Sequence, residues 1–250
     1  MNLYFECKSG ISGDMSVGAL LDLGANQAKL EKALSSMKLD NEFSYVISKK
    51  PVNAIMATDF DVILPDHHHH HEEHSHEHHH HEHRNLDDVN AIIDKADITE
   101  NAKKLAKRIF EIVAEAEAKV HGKDIKDVHF HEVGAIDSIV DIVSFSVLFD
   151  DLNPEKVYFS TLTDGQGFVN CQHGKIPVPV PAVCEIASKY KLPLRISDND
   201  GEMVTPTGCA IVASLYGDEK LPNEFVIEKV GYGSGKRPYE NPTLRVMSIK

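Results

Sequence analysis

LYFECKSGISGDMSVGALLDLG (3–24) sets a short apolar segment, a turn with two glycines and a helical stretch stopped by Gly24 in immediate succession. Leu3 to Glu6 predicts a strand that runs straight into the turn Ser9-Gly10-Ile11-Ser12-Gly13-Asp14. The helix that follows should reach Leu23 and end at Gly24. Strand and helix therefore alternate from the first residues.

Working outward, a second helix is expected over Gln27 to Met37. Phe43 to Lys49 and Ala57 to Leu64 alternate apolar and polar residues as paired strands do, with Pro51 and Asn53 in the connection. Beyond Pro65 and Arg84, Asn85 is a suitable N-cap, with Asp87 and Asp88 in the positive first turn. The helix from Glu100 to Val120 carries Leu105, Ile109, Ile112, Val113, Ala116 and Val120 on one stripe, which reads as core without chemistry; Gly122 closes it. Val128 to His131 reads as extended, and Asp137 to Phe149 as helical. Past Pro154, short strands are expected at Lys156–Ser160, Leu194–Ser197, Phe225–Val230 and Leu244–Ile249. Two helices begin near prolines, at Pro181 and Pro206. The pattern predicts an α/β to mixed α+β fold: a layered sheet with helices and a long disordered His-rich loop. Residues 1–64 form an N-terminal α/β segment, 65–84 the loop, and 85–250 an α/β remainder expected to make one compact domain with 1–64.

The chain of 250 residues is 42% hydrophobic and 26% charged, an ordinary globular composition. Its net charge of −13 argues against binding a nucleic-acid backbone, which wants a basic face. No apolar run approaches the roughly 18 residues that cross a membrane. The polar opening MNLYFECKSG is not a signal peptide. Cys7, Cys171, Cys184 and Cys209 form no CxxC pair and read as reduced thiols of a cytoplasmic protein.

Residues 67–83, HHHHHEEHSHEHHHHEH, hold twelve of the sixteen histidines: His67, His68, His69, His70, His71, His74, His76, His78, His79, His80, His81 and His83. Neutral imidazole binds nickel, copper and zinc, so the tract offers many overlapping ligand sets and no fixed geometry. The same composition also suits a solvated low-complexity loop.

Other segments concentrate chemistry. In Ser9–Met15 the glycines permit a tight turn, and free N–H groups at a helix start can cradle phosphate, with Asp14 placed to hold Mg²⁺; a plain turn capped by Ser12 would look alike. In HFHEVGAIDSIVD (129–141), His129 and His131 would share a strand face, roughly 6.5 Å apart. Asp137 and Asp141 would share a helix face. Together they suit a divalent metal or a base with its orienting partner, or else a capped helix beside surface histidines. His173 precedes Gly174 in a proline-alternating stretch that must be extended and cannot be an interior ladder. Thr205 and Thr207, with Gly208, make a hydroxyl-rich helix start suited to anions or simple capping. GYGSGKR (231–237) reads as a flexible loop ending in Lys236 and Arg237.

Taken together, FECKSGISGDM (5–15), VHFHEVGAIDSIVDIV (128–143), HGKIPVPVPA (173–182), EMVTPTGCAI (202–211) and GYGSGKR (231–237) resemble the nickel-insertion proteins of the lactate racemase cofactor pathway. The histidine tract and AEAEAKVHG (114–122) fit the same family, and the likeness runs through nearly the whole chain. It implies insertion of nickel into pyridinium-3,5-bisthiocarboxylic acid mononucleotide, giving a pincer cofactor with a nickel–carbon bond, in a reaction that depends on CTP and on Mg²⁺ or Mn²⁺. Family members continue into a further C-terminal domain, so the chain to Lys250 reads as the N-terminal part, partnered by that C-terminal part.

On this reading Ni²⁺ replaces the ring proton between two thiocarboxylates, and His131, His129 or His173 takes the proton. Asp14, Asp137 and Asp141, with His129 and His131, are candidate metal ligands. Ser9, Gly10, Ser12, Gly13, Asp14, Thr205, Thr207, Gly208, Lys236 and Arg237 are candidate ligands of the phosphates. The histidine tract delivers nickel to a homo-oligomer that hands its product to lactate racemase or another nickel-pincer enzyme. The rival reading is nickel storage or delivery without catalysis.

Overall fold

The computed structural model describes residues 1–39, 41–65, 84–128, 136–171, 174–217, 219–237 and 239–250. β1 (Asn2–Glu6), α1 (Gly13–Leu23) and α2 (Gln27–Ser36) lead into the hairpin of β2 (Ser44–Val52) and β3 (Ile55–Ile63). Then come α3 (Leu86–Lys95), α4 (Glu100–His121) and α5 (Ile136–Leu152). The remaining strands are β4 (Lys156–Phe159), β5 (Leu162–Gln166), β6 (Phe168–Cys171), β7 (Gly174–Pro177), β8 (Leu194–Asp200), β9 (Ile227–Ser234) and β10 (Thr243–Ile249). Between them run α6 (Pro181–Tyr190) and α7 (Pro206–Leu215). The expectation of a mixed α/β layered sheet holds.

Six strands form one sheet in the order β2-β3-β9-β10-β1-β4, flanked by the small pairs β5-β8 and β6-β7. β1 is interior to its sheet, antiparallel to β10 and parallel to β4. Its alternation decides the layers. Leu3 and Phe5 are buried in the main core with α1 and α5, whereas Tyr4 points the other way to meet Tyr158, Met247 and Ile249 beneath Phe225. α1 packs on β3, β9 and β10, α5 lies against α1, and α4 packs on α5, α6 and α7. Glycines cap α1 and α4 in left-handed conformation, and Asn85 caps α3 in a full capping box with Asp88.

Three expectations need correction. Gly231 and Gly233 belong to β9 and not to a flexible loop, because α1 lies directly on that strand. A Cβ on Gly233 would stand 1.8 Å from the Met15 carbonyl oxygen, and one on Gly231 2.2 Å from that of Ala19. Pro51 is inside β2, opposite Met56, and the hairpin turns at Asn53 with φ 53°. Val120 is 37% exposed and leaves the core stripe that Ile109, Ile112, Val113 and Ala116 share. The short strands β5 and β6 escaped the sequence reading, since four or five residues give too little alternation to detect, whereas β7 falls in the proline-alternating stretch read as extended. All four cysteines are free thiols. Among the described residues, no helix is long and apolar enough to cross a membrane.

Candidate functional site

The turn after β1 and the segment before α7 are zipped together. Ile11 N–H donates to the Met203 carbonyl at 3.0 Å, and Thr205 N–H donates to the Ile11 carbonyl at 3.1 Å. Only glycine fits at two points of this seam. Gly10 has φ 80° and its Cβ would meet the Met203 oxygen at 2.1 Å; the Cβ of Gly208 would meet the Ile11 oxygen at 2.2 Å. Two helix starts consequently open side by side, α1 capped by Ser12 and α7 by Thr205, whose Oγ1 accepts from Gly208 N–H at 3.0 Å.

Beneath the seam lies Asp164, which sequence reasoning missed. Fully buried, it accepts through Oδ1 from the N–H groups of Gly165 (2.8 Å), Met203 (2.8 Å) and Val204 (3.1 Å), while its Oδ2 is buried without a partner. Burial pushes its carboxyl above the usual range despite those three bonds. Tyr239, also missed, closes the seam from above by donating its hydroxyl to the Ser9 carbonyl at 2.8 Å.

In front of the paired helix starts is a cleft of about 290 Å³. Ser12, Gly13, Asp14, Thr205 and Thr207 line it from the two helix starts, Asp137 and Asp141 from α5, and Lys236 and Arg237 from the segment after β9. Four of the expected segments are thus brought together. Ser9, Gly10 and Gly208 are not on its wall; they build the seam behind it. His129, His131, His173 and the twelve histidines of 67–83 lie outside the described residues.

At the cleft α1 and α5 approach each other closely. A Cβ on Gly13 would be 2.5 Å from Asp141 Oδ2, and Asp141 also accepts the backbone N–H of Asp14. Asp141 Oδ1 is buried and unpartnered. Asp14 accepts from Met15 N–H at 2.8 Å and from the Ser12 hydroxyl. Burial raises the carboxyl pKa of Asp14, only partly offset by the Ser12 bond and the charge of Lys236. For Asp141 burial and then the charges of Asp14 and Asp137 push it well above the ordinary value. Two carboxylates so placed favour a positive species between them. Asp137 is exposed at the rim, one turn away.

Lys236 binds Asp61 at 2.5 Å; burial opposes its charge, but that bond and the fields of Asp14, Asp61 and Asp141 hold its pKa above normal. Arg237 pairs with Glu202, whose side chain is 6% exposed. The cleft therefore sets the carboxylates Asp14, Asp137, Asp141 and Glu202 against Lys236 and Arg237. A bare phosphate would meet net repulsion there, whereas a phosphate carrying a cation would not. Among the described residues no three His, Cys, Asp or Glu side chains converge as a complete metal site, so a cation on Asp14 and Asp141 would need oxygens from its ligand or from water.

The family model described as "Nickel insertion protein" matches residues 3–249. A protein of Acetivibrio thermocellus is 50% identical over 94% of this chain and 56% of its own length. One of Alkaliphilus metalliredigens is 49% identical over 94% and 57%, and one of Clostridium acetobutylicum 41% over 97% and 62%. All three are named pyridinium-3,5-bisthiocarboxylic acid mononucleotide nickel insertion protein. The chain spans a little over half the length of these relatives, and no solved structure matches it. With the match extending from β1 to β10, this chain belongs to the nickel insertion protein family.

Proposed function

We propose that the chain takes part in inserting nickel into pyridinium-3,5-bisthiocarboxylic acid mononucleotide, with CTP as co-substrate, and that its cleft holds a phosphate of these ligands through a divalent cation on Asp14 and Asp141. The observation that carries this reading is Asp141 Oδ1, buried and unpartnered beside Asp14 where two helices begin. An all-oxygen donor set suits Mg²⁺ or Mn²⁺. Such a cation would neutralise phosphate charge that the cleft carboxylates otherwise repel. The hydroxyls of Ser12, Thr205 and Thr207 and the positive ends of α1 and α7 would orient the phosphate oxygens. Lys236 would meet the outer oxygens, with Arg237 at the edge of the cleft.

Nickel enters as substrate. The two thiocarboxylate sulfurs are soft ligands for Ni²⁺, which then takes the place of the ring proton between them. That proton passes to a base, and imidazole is matched to neutral pH, which makes His129, His131 and His173 the groups to test. The histidines of 67–83 raise the local supply of nickel and take no part in the bond change.

Calorimetry on the whole chain with Mg²⁺ present and nickel absent tests the reading. CTP and nicotinic acid mononucleotide should bind, ATP and GTP more weakly, and Asp14→Ala or Asp141→Asn should weaken binding at least about tenfold. Affinities unmoved by both substitutions would overturn the cleft assignment. CTP binding no better than ATP or GTP would overturn the CTP assignment alone, and absence of all binding would overturn both.

A further inference from the structure

A second cleft, of about 320 Å³, adjoins the first. Its apolar wall is Val120 at the end of α4, Val169 on β6, Ile176 on β7, and Val180 and Ala182 at the start of α6, and its polar wall adds Asn170, Cys171 and the pair Glu117–His121 at 3.2 Å. The two clefts share Glu202, Pro206 and Arg237, so only one ion pair and the first residue of α7 separate them. Val120 is exposed although Ile109, Ile112, Val113 and Ala116 of its stripe are buried, because this hollow lies in front of it.

The two chambers differ in what they can hold. The first presents carboxylates, hydroxyls and helix starts, the second aliphatic surface suited to the face of a flat ring. Small-ligand sites run from roughly 300 to 1,000 Å³, so each chamber alone is at the lower end of that range. Arg237 stands at the junction. Its side chain remains 52% exposed while Glu202 pins it, which leaves guanidinium N–H groups facing both chambers. A planar fork of this kind pairs with the two oxygens of a carboxylate or a phosphate.

We infer that the two clefts are one bipartite site, in which the second chamber takes the heteroaromatic ring of a pyridinium mononucleotide while the first takes its phosphate, and Arg237 binds the acid group on the ring. This rests on the phosphate reading of the first cleft. It gives each part of the ligand a chamber of matching chemistry: charge against cation and hydroxyl, ring against Val120, Val169 and Ile176. The ribose would then pass beside Pro206.

Two probes separate the chambers in the whole chain with Mg²⁺: ribose 5-phosphate, which has only the phosphate arm, and nicotinic acid mononucleotide, which has both. The quantity to read is the ratio of their affinities. Val120→Trp fills the second chamber from an exposed wall position, and Val169→Trp does so from the opposite wall should the first variant fold poorly. Each should cut the ratio of mononucleotide to ribose 5-phosphate affinity by at least about tenfold. Arg237→Ala should cut it as well, with a smaller loss for a mononucleotide whose ring lacks the carboxylate. A ratio unchanged in folded Val120→Trp and Val169→Trp would overturn the inference while leaving the cation-bound phosphate in place. Failure of the wild-type chain to bind either probe would overturn both.

Discussion

Three backbone N–H groups converge on one oxygen of Asp164, and two of them belong to the segment that leads into α7. Asp164→Ala would strand those amides in a buried seam, so a loss of roughly 3 kcal/mol is expected in urea denaturation. The pH dependence follows from the raised carboxyl. A folded-state value above the ordinary 3.8 favours the protonated native form, so this contribution is complete below that pH and is lost as pH rises through the folded value. Asp164→Asn should flatten that limb of the stability curve, and an unchanged limb would rule Asp164 out as its source. Nothing in TDGQG (163–167) singles out this aspartate, because two of its three partners lie 39 and 40 residues away. Asp14 was legible, since a carboxylate just inside a serine-capped helix is a local pattern. Asp137 and Asp141 were legible as a pair at helical spacing, but not their difference: only contact with Gly13 shows which one turns inward.

The fit between α1 and the sheet depends on glycine at the element scale. Gly233→Ala would drive a methyl group into the Met15 carbonyl, and α1 could escape only by lifting from β9. A destabilisation of about 3 kcal/mol is expected, together with weaker phosphate binding because Ser12 and Asp14 would move with the helix. Normal stability by urea denaturation would show that the contact yields. Thr205→Ala removes one cap bond and should cost only about 1 kcal/mol, measurable in the same way. Helices were readable because caps, stops and apolar stripes repeat over ten or more residues, as Thr99, Gly122 and Ile109 show in α4. β9 was misread because its glycines answer to a helix more than two hundred residues earlier in the chain.

At the scale of the molecule, the described residues on either side of the histidine tract are held in place. Arg84, just after the tract, is fixed by Glu42, and β3 is complete at Ile63. Deleting 67–83 should therefore leave the melting temperature unchanged within error while raising the nickel concentration needed for half-maximal insertion. A large drop in melting temperature would show the tract to be structural. Strand order lay beyond sequence reading, since no local pattern states that β1 separates β10 from β4. That placement constrains how the protein is made. β1 leaves the ribosome more than two hundred residues before β10, so the sheet stays open beside β1 until residues 243–249 have emerged. Until then Leu3 and Phe5 have one strand neighbour missing, and the ladder between β1 and β10 closes only after the long stretch between them has been made.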